Sequence, residues 1–203
     1  MRNKNLKIFN DYLQCLLRQE MLVLRKKIEK EHYDWKIIRN AIYNDCRFFE
    51  TDMEFEFNTY LNTLEADKQQ QLNKIVYNVL NNVFAHKMKS FPSKFKKKLR
   101  GILPDITPKQ FFNLNYFDTN EHRCCLCGRL LDHDAKELPV AEIEHLFPQS
   151  KFPQLILCIN NYIPCCSNCN KIKKSSFFNC KKEFIEDLQK LGKSFHHPLF
   201  FWK

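Results

Sequence analysis

Residues 124–129 read CCLCGR, residues 141–150 read AEIEHLFPQS, and residues 160–174 read NNYIPCCSNCNKIKK. Cys124 and Cys127 form one Cys-x-x-Cys pair, and Cys166 and Cys169 form a second. Each pair lets two sulfurs face one ion from a tight turn, and two such turns complete a tetrahedral zinc shell. Cys125 and Cys165 offer competing registers, but neither has the two-residue spacing to its pair. The expectation is a structural Zn²⁺ held by Cys124, Cys127, Cys166 and Cys169. Cys15, Cys46, Cys158 and Cys180 then read as small buried apolar side chains. With four sulfurs satisfying the ion, His122, His133, His196 and His197 are not needed as ligands. The loop between the two knuckles is longer than a simple zinc ribbon requires, so a functional element is expected inside it.

Composition narrows the classes around that stretch. The chain has 203 residues, of which 44% are hydrophobic, so it can build a core and is not a disordered tail. Only 3 glycines occur, and neither a Gly-x-Gly-x-x-Gly fingerprint nor a Walker-type lysine loop is present. A net charge of +10 favours a polyanionic partner, chiefly nucleic acid. No apolar run approaches the roughly 20 residues of a membrane span. Together with the lack of a signal-peptide pattern at MRNKNLKIFND, this gives a cytoplasmic, membrane-free expectation. The clustering of cysteines in pairs fits a reducing compartment and metal binding rather than a disulfide framework.

Upstream, the pattern is helical. Leu6, Phe9, Leu13, Leu16, Leu17, Leu24 and Ile28 recur along one face over residues 3–31. Asp34 can cap a second helix carrying Ile37, Ile38, Ile42 and Tyr43. The Phe55/Phe57 alternation within 53–64 leaves helix and strand both open, and residues 67–84 are helical again. Between His86 and Pro104 there are seven basic residues and no acid, with Phe91 and Phe95 interleaved. Lys94, Lys96, Lys97, Lys98 and Arg100 of this run are candidates to neutralise phosphates, against the plainer reading of a solvated face. Thr107 fits a helix N-cap with Pro108 at the first helical position. A domain boundary is expected near residue 115. Beyond the knuckles, 181–191 reads as an amphipathic helix ended by Gly192, and the aromatic tail FHHPLFFWK is expected to pack back.

The order Glu144-His145, Asn161, then Cys166-x-x-Cys169-Asn170-x-x-Lys173 resembles the HNH endonucleases of the His-Me finger, or ββα-metal, superfamily. The likeness covers about residues 120–178 and includes Pro148 after the Glu-His pair. It implies that His145 is the general base and that Asn161 orients the loop bearing it. Glu144, where the family usually has Asp, and Asn170 would hold a catalytic Mg²⁺ or Mn²⁺, and Lys173 stands where a phosphate-contacting or structural lysine is common. It also implies a strand leading into Glu144-His145, a second strand near 159–163, and a helix from about Cys166. The chemistry is coherent: a neutral imidazole accepts a proton from water near pH 7, and a hard cation prefers carboxylate and amide oxygens.

The resulting expectation is a mainly α protein with a small α+β part. Residues 1–115 form a helical, basic, DNA-binding or partner-docking region, and residues 116–203 form a zinc-stabilised ββα-metal nuclease domain. Its expected activity is metal-dependent hydrolysis of DNA phosphodiester bonds, in restriction or anti-phage defence. The partners expected are DNA and either a second copy or a protein of the same system, such as an ATPase or methyltransferase. Two alternatives stay open: a non-catalytic zinc-stabilised module that binds nucleic acid, and a nuclease subunit of a multi-protein defence complex.

Overall fold

The computed structural model describes residues 4–47, 54–98, 106–116 and 122–173. Arg100, Cys180, the expected 181–191 helix and the aromatic tail lie outside the described residues. Among those described, six helices precede a two-stranded sheet, and a seventh follows it: α1 Lys4–Lys30, α2 Trp35–Arg47, α3 Glu56–Leu61, α4 Ala66–Lys87, α5 Ser93–Lys98, α6 Pro108–Tyr116, β1 Glu142–His145, β2 Tyr162–Cys165 and α7 Ser167–Lys173. The protein is thus mainly helical with a small antiparallel sheet.

The apolar stripe read along α1 is the buried stripe. Phe9, Leu13, Leu16, Leu17, Leu24 and Ile28 are all buried, while Leu6 is half-buried at the rim. The helix stops in a left-handed turn: His32 takes φ 61°, and the Tyr33 N–H donates to Ile28 O at 3.2 Å and the His32 N–H to Glu29 O at 3.1 Å. This pairing of the last carbonyls is a Schellman motif, with histidine in the place glycine usually takes. Asp34 then caps α2 as its sequence suggests, accepting the Ile37 N–H on Oδ1 at 3.1 Å. Thr107 Oγ1 accepts the Gln110 N–H at 3.1 Å, and Gln110 Oε1 in turn accepts the Thr107 N–H at 3.1 Å. That reciprocal box fixes the start of α6.

The ambiguity over 53–64 is settled by a residue outside it. Asp45, fully buried on α2, accepts the Glu56 N–H at 2.8 Å and the Phe57 N–H at 3.2 Å. The carboxylate satisfies two donors that a new helix leaves unpaired, so the segment turns into α3 and buries both Phe55 and Phe57. Burial pushes the Asp45 carboxyl up to about 6, against the opposing pull of its two backbone bonds. A folded-state value above the unfolded one means that this group's contribution is full below pH ~4 and is lost as pH rises through about 6. Unfolding free energies from urea titrations at pH 5 and pH 7.5 should therefore show a fall of about 1–2 kcal/mol in wild type that Asp45→Asn lacks. A similar fall in both proteins would exclude Asp45 as its source.

Two buried clusters organise the molecule. The larger joins the helices to residues from both sides of residue 115, with Phe9 and Phe112 against Tyr162. The smaller contains Cys124, Leu131, Ala141 and Cys165, with Cys166 and Cys169 packed on it. α1 packs on α4 and α6, α2 on α3, and both α6 and α7 on β1. β1 and β2 run antiparallel, with His145 opposite Tyr162 and Glu144 opposite Ile163. β2 begins three residues later than the expected 159–163, because Ile159–Asn161 forms a 3-10 turn instead. The Asn161 N–H closes that turn on Cys158 O at 3.0 Å.

Candidate metal centre and the histidine loop

The first knuckle is a turn over 125–127. The Cys124 N–H donates to Arg129 O at 2.8 Å and the Gly128 N–H to Cys124 O at 2.9 Å. Gly128 takes φ 70°, a conformation that a Cβ would penalise. The second knuckle opens α7, where the Asn170 N–H donates to Cys166 O at 3.0 Å. The two are tied directly: the Cys125 N–H donates to Pro164 O on β2 at 3.1 Å, and the Cys166 N–H donates to Cys124 Sγ at 3.3 Å.

The four sulfurs of Cys124, Cys127, Cys166 and Cys169 lie within 4.8 Å of one another, and Cys127 Sγ is 3.9 Å from Cys166 Sγ. Zn–S bonds of about 2.3 Å in a tetrahedron put sulfurs roughly 3.8 Å apart, so the cluster fits a structural metal such as zinc. Burial holds the Cys124 thiol above its usual value. Cys166 is held below it: burial pushes that thiol up, but hydrogen bonds from the Cys169 backbone and the neighbouring sulfurs outweigh it. The competing cysteines are not among these four sulfurs, although Cys165 packs in the same small cluster as Cys124. Cys125 is buried, with its thiol pushed up to about 12 by burial, and Cys165 is fully buried on β2. Cys46 and Cys158 pack together in the larger core, Cys46 donating to Gln154 O at 3.2 Å and Cys158 to Cys46 O at 3.6 Å. His122 Nδ1 lies 3.0 Å from His133 Nε2. Burial first, and the neighbouring His133 second, hold His122 below its ordinary value.

β1 presents Glu144 and His145 at successive positions, so the two side chains leave the strand on opposite faces. The imidazole is 3% exposed. It meets Phe84 of α4 at 5.0 Å and Tyr162 of β2 at 4.9 Å between ring centres, both edge-on. Nε2 lies 3.1 Å from Ile156 O. A carbonyl only accepts, so Nε2 carries the proton in the neutral ring and Nδ1 carries the lone pair. Glu144 is half-buried, and so is Asn170 on α7, the helix that packs against β1.

Asn161 braces the loop that follows His145. Its Oδ1 accepts the Phe147 N–H at 2.7 Å, and its Nδ2 donates to Phe147 O at 3.2 Å and to Leu155 O at 3.3 Å. Its backbone carbonyl accepts the Leu146 N–H at 2.9 Å. Fully buried, Asn161 thus spends its amide on the two segments that enclose the imidazole. From the α4 side, Asn73 Nδ2 donates to Ser150 O at 2.7 Å, while Asn58 Nδ2 of α3 lies 3.4 Å from Lys151 O.

The basic run divides in the structure. Phe91 and Phe95 are buried against Tyr12, each with ring centres 5.0 Å from it, and so belong to the core rather than to a ligand surface. Lys94, Lys96 and Lys97 are exposed, and Lys98 closes α5. Lys173 is the last residue of α7. Sequence reasoning missed Phe84, Tyr162 and Gln149 around the imidazole. The first lies 61 positions away and no local pattern links it to His145. Gln149 carried only the faint signal of standing four residues after the histidine, behind Pro148.

Fold and site together define a mainly helical protein with a two-stranded sheet and a four-cysteine centre suited to a structural metal. Among proteins of known sequence, the Septu protein PtuB of Bacillus thuringiensis is 30% identical to it over 77 residues, which are 38% of this chain and 28% of that protein. The match therefore spans less than a third of that relative's length. No family model matches the chain, and no solved structure matches it. Among the described residues, no helix is long and apolar enough to cross a membrane.

Proposed function

We propose that this protein is a metal-dependent DNA endonuclease of the HNH, or ββα-metal, type, and that it works in anti-phage defence together with a partner protein. The observation that carries the reading is the bracing of the loop after His145 by Asn161, the pair of roles that the sequence motif implies. The order antiparallel pair then helix, with Cys166 and Cys169 at the helix start, agrees with it. Likeness to a Septu protein fits the defence role.

In this reading the Ile156 carbonyl holds the Nε2–H tautomer, which leaves Nδ1 to take a proton from the attacking water. Glu144 and Asn170 offer the carboxylate and amide oxygens that a hard divalent ion prefers, and would hold Mg²⁺ or Mn²⁺. Such an ion supplies charge neutralisation at the phosphate and the leaving oxygen. The sulfur centre sets where β2 ends and α7 begins, and so fixes the relation of Asn170 to β1. Supercoiled DNA incubated with the zinc-loaded protein should be nicked or linearised on adding Mg²⁺ or Mn²⁺. Intact DNA under both ions would refute the proposal.

The candidate phosphate contacts in this reading are Lys94, Lys96, Lys97 and Lys98 of α5 and Lys173 at the end of α7, with Arg100 outside the described residues. Changing Lys94, Lys96, Lys97 and Lys98 to glutamine should flatten the plot of log affinity against log salt by up to about 3–4, near 0.9 for each phosphate left without its lysine. An unaltered slope would reduce this stretch to a solvated face.

The enclosure of His145, at 3% exposed, favours a second reading: a zinc-stabilised nucleic-acid-binding module without catalysis. The two part on the nicking assay, since a binder shifts DNA in a gel yet leaves it uncut.

A further inference from the structure

One side of the same enclosure is closed by a partly exposed side chain. Tyr162 is 1% exposed within the core and Ile156 O is backbone, so neither can leave the imidazole without unfolding its surroundings. Gln149 differs. Its side chain is half-buried, and its Nε2 lies 2.9 Å from His145 Nδ1 and 3.2 Å from His145 Nε2. An atom that near to both ring nitrogens lies over the ring rather than in line with one lone pair, and whichever end of the amide faces inward, it covers Nδ1.

The backbone beneath this side chain is fixed. Lys151 and Phe152 N–H groups donate to Pro148 O at 3.0 and 2.9 Å, and Ser150 O is held from α4. Rotation about the Gln149 side-chain bonds is thus the small movement that would open Nδ1, with β1, Asn161 and the knuckles left in place.

Building on the nuclease reading above, we propose that Gln149 is a positioning residue that covers the imidazole of His145 in the resting protein and turns off it when a phosphodiester strand is bound. A displaced amide group has donors to offer a phosphate oxygen, so the strand that needs the base also supplies the partner that draws the cover away. Unbound, the protein keeps its base nitrogen shielded from bulk water.

Two measurements test this. With ¹⁵N-histidine-labelled, zinc-loaded protein and no added divalent ion, the ring-nitrogen signals of His145 should move on addition of a DNA duplex. They should move in the same direction in unbound Gln149→Ala, with zinc content and melting temperature unchanged. A His145 spectrum that DNA leaves unmoved overturns the proposal. In single-turnover cleavage, Gln149→Ala should be faster than wild type by roughly threefold to tenfold, on the order of the free energy of one polar contact broken before reaction. A slower or equal rate, with fold and zinc intact, also overturns it, because the side chain would then hold the reacting water or have no bearing on the site. Absence of cutting by the wild-type protein overturns the nuclease reading instead, and leaves the spectroscopic test in force.

Discussion

Replacing Cys169 with serine is expected to release the structural metal and to melt the segment around the knuckles. The stretch 122–141 has no helix or strand of its own: isolated bridges pair Arg123 with Leu130 and His133 with Pro139, the small cluster around the sulfurs has few members, and only Cys125 and Leu138 of this stretch are buried in the larger core. Structural zinc sites contribute about 10–16 kcal/mol of apparent binding free energy, comparable to or larger than the whole stability of a typical domain. Losing one of four ligands should remove the larger part of that. A loss of even ~3 kcal/mol lowers the melting temperature of a chain this size by about 6–12 °C. Zinc stoichiometry and melting temperature, measured together on Cys169→Ser and Cys127→Ser, check this. Unchanged zinc content and melting in both would refute the sulfur clamp. Cys125→Ser serves as the internal comparison, since that sulfur stands outside the cluster and its loss should leave zinc content unaltered.

His145→Ala should lower DNA cleavage by about a hundredfold to ten-thousandfold, the usual worth of a positioned general base. The substitution also empties a buried position between Phe84 and Tyr162, so the comparison needs a folded control. His145→Asn keeps a polar side chain there and lacks the basic nitrogen. Both variants should retain zinc, because the imidazole is not among the four ligands. Full activity in either variant would remove His145 from the chemistry.

The four-cysteine centre was legible because its signal is a spacing, and spacing survives whatever the rest of the chain does. α1 and α4 were legible because long amphipathic periods outweigh local ambiguity, and the starts of α2 and α6 because Asp34 and Thr107 cap their own neighbourhoods. What escaped was contact across sequence. The 53–64 segment became helical through Asp45, whose carboxylate acts 11 and 12 positions downstream. β2 begins at Tyr162 because Asn161 is committed to a 3-10 turn and to bracing Phe147, a commitment that alternation of side chains does not encode. The surroundings of His145 come at once from α4, from β2 and from the loop between the strands. A sequence motif names the histidine but not the wall around it.

Cleavage of a DNA duplex by zinc-loaded wild-type protein with Mg²⁺ in ¹⁸O-labelled water, followed by mass analysis of the new ends, tests whether water is the nucleophile. If His145 activates water at a phosphodiester, each cut yields a hydroxyl on one side and a terminal phosphate carrying one ¹⁸O on the other. New ends whose phosphate carries no label, or no new ends at all, would contradict it.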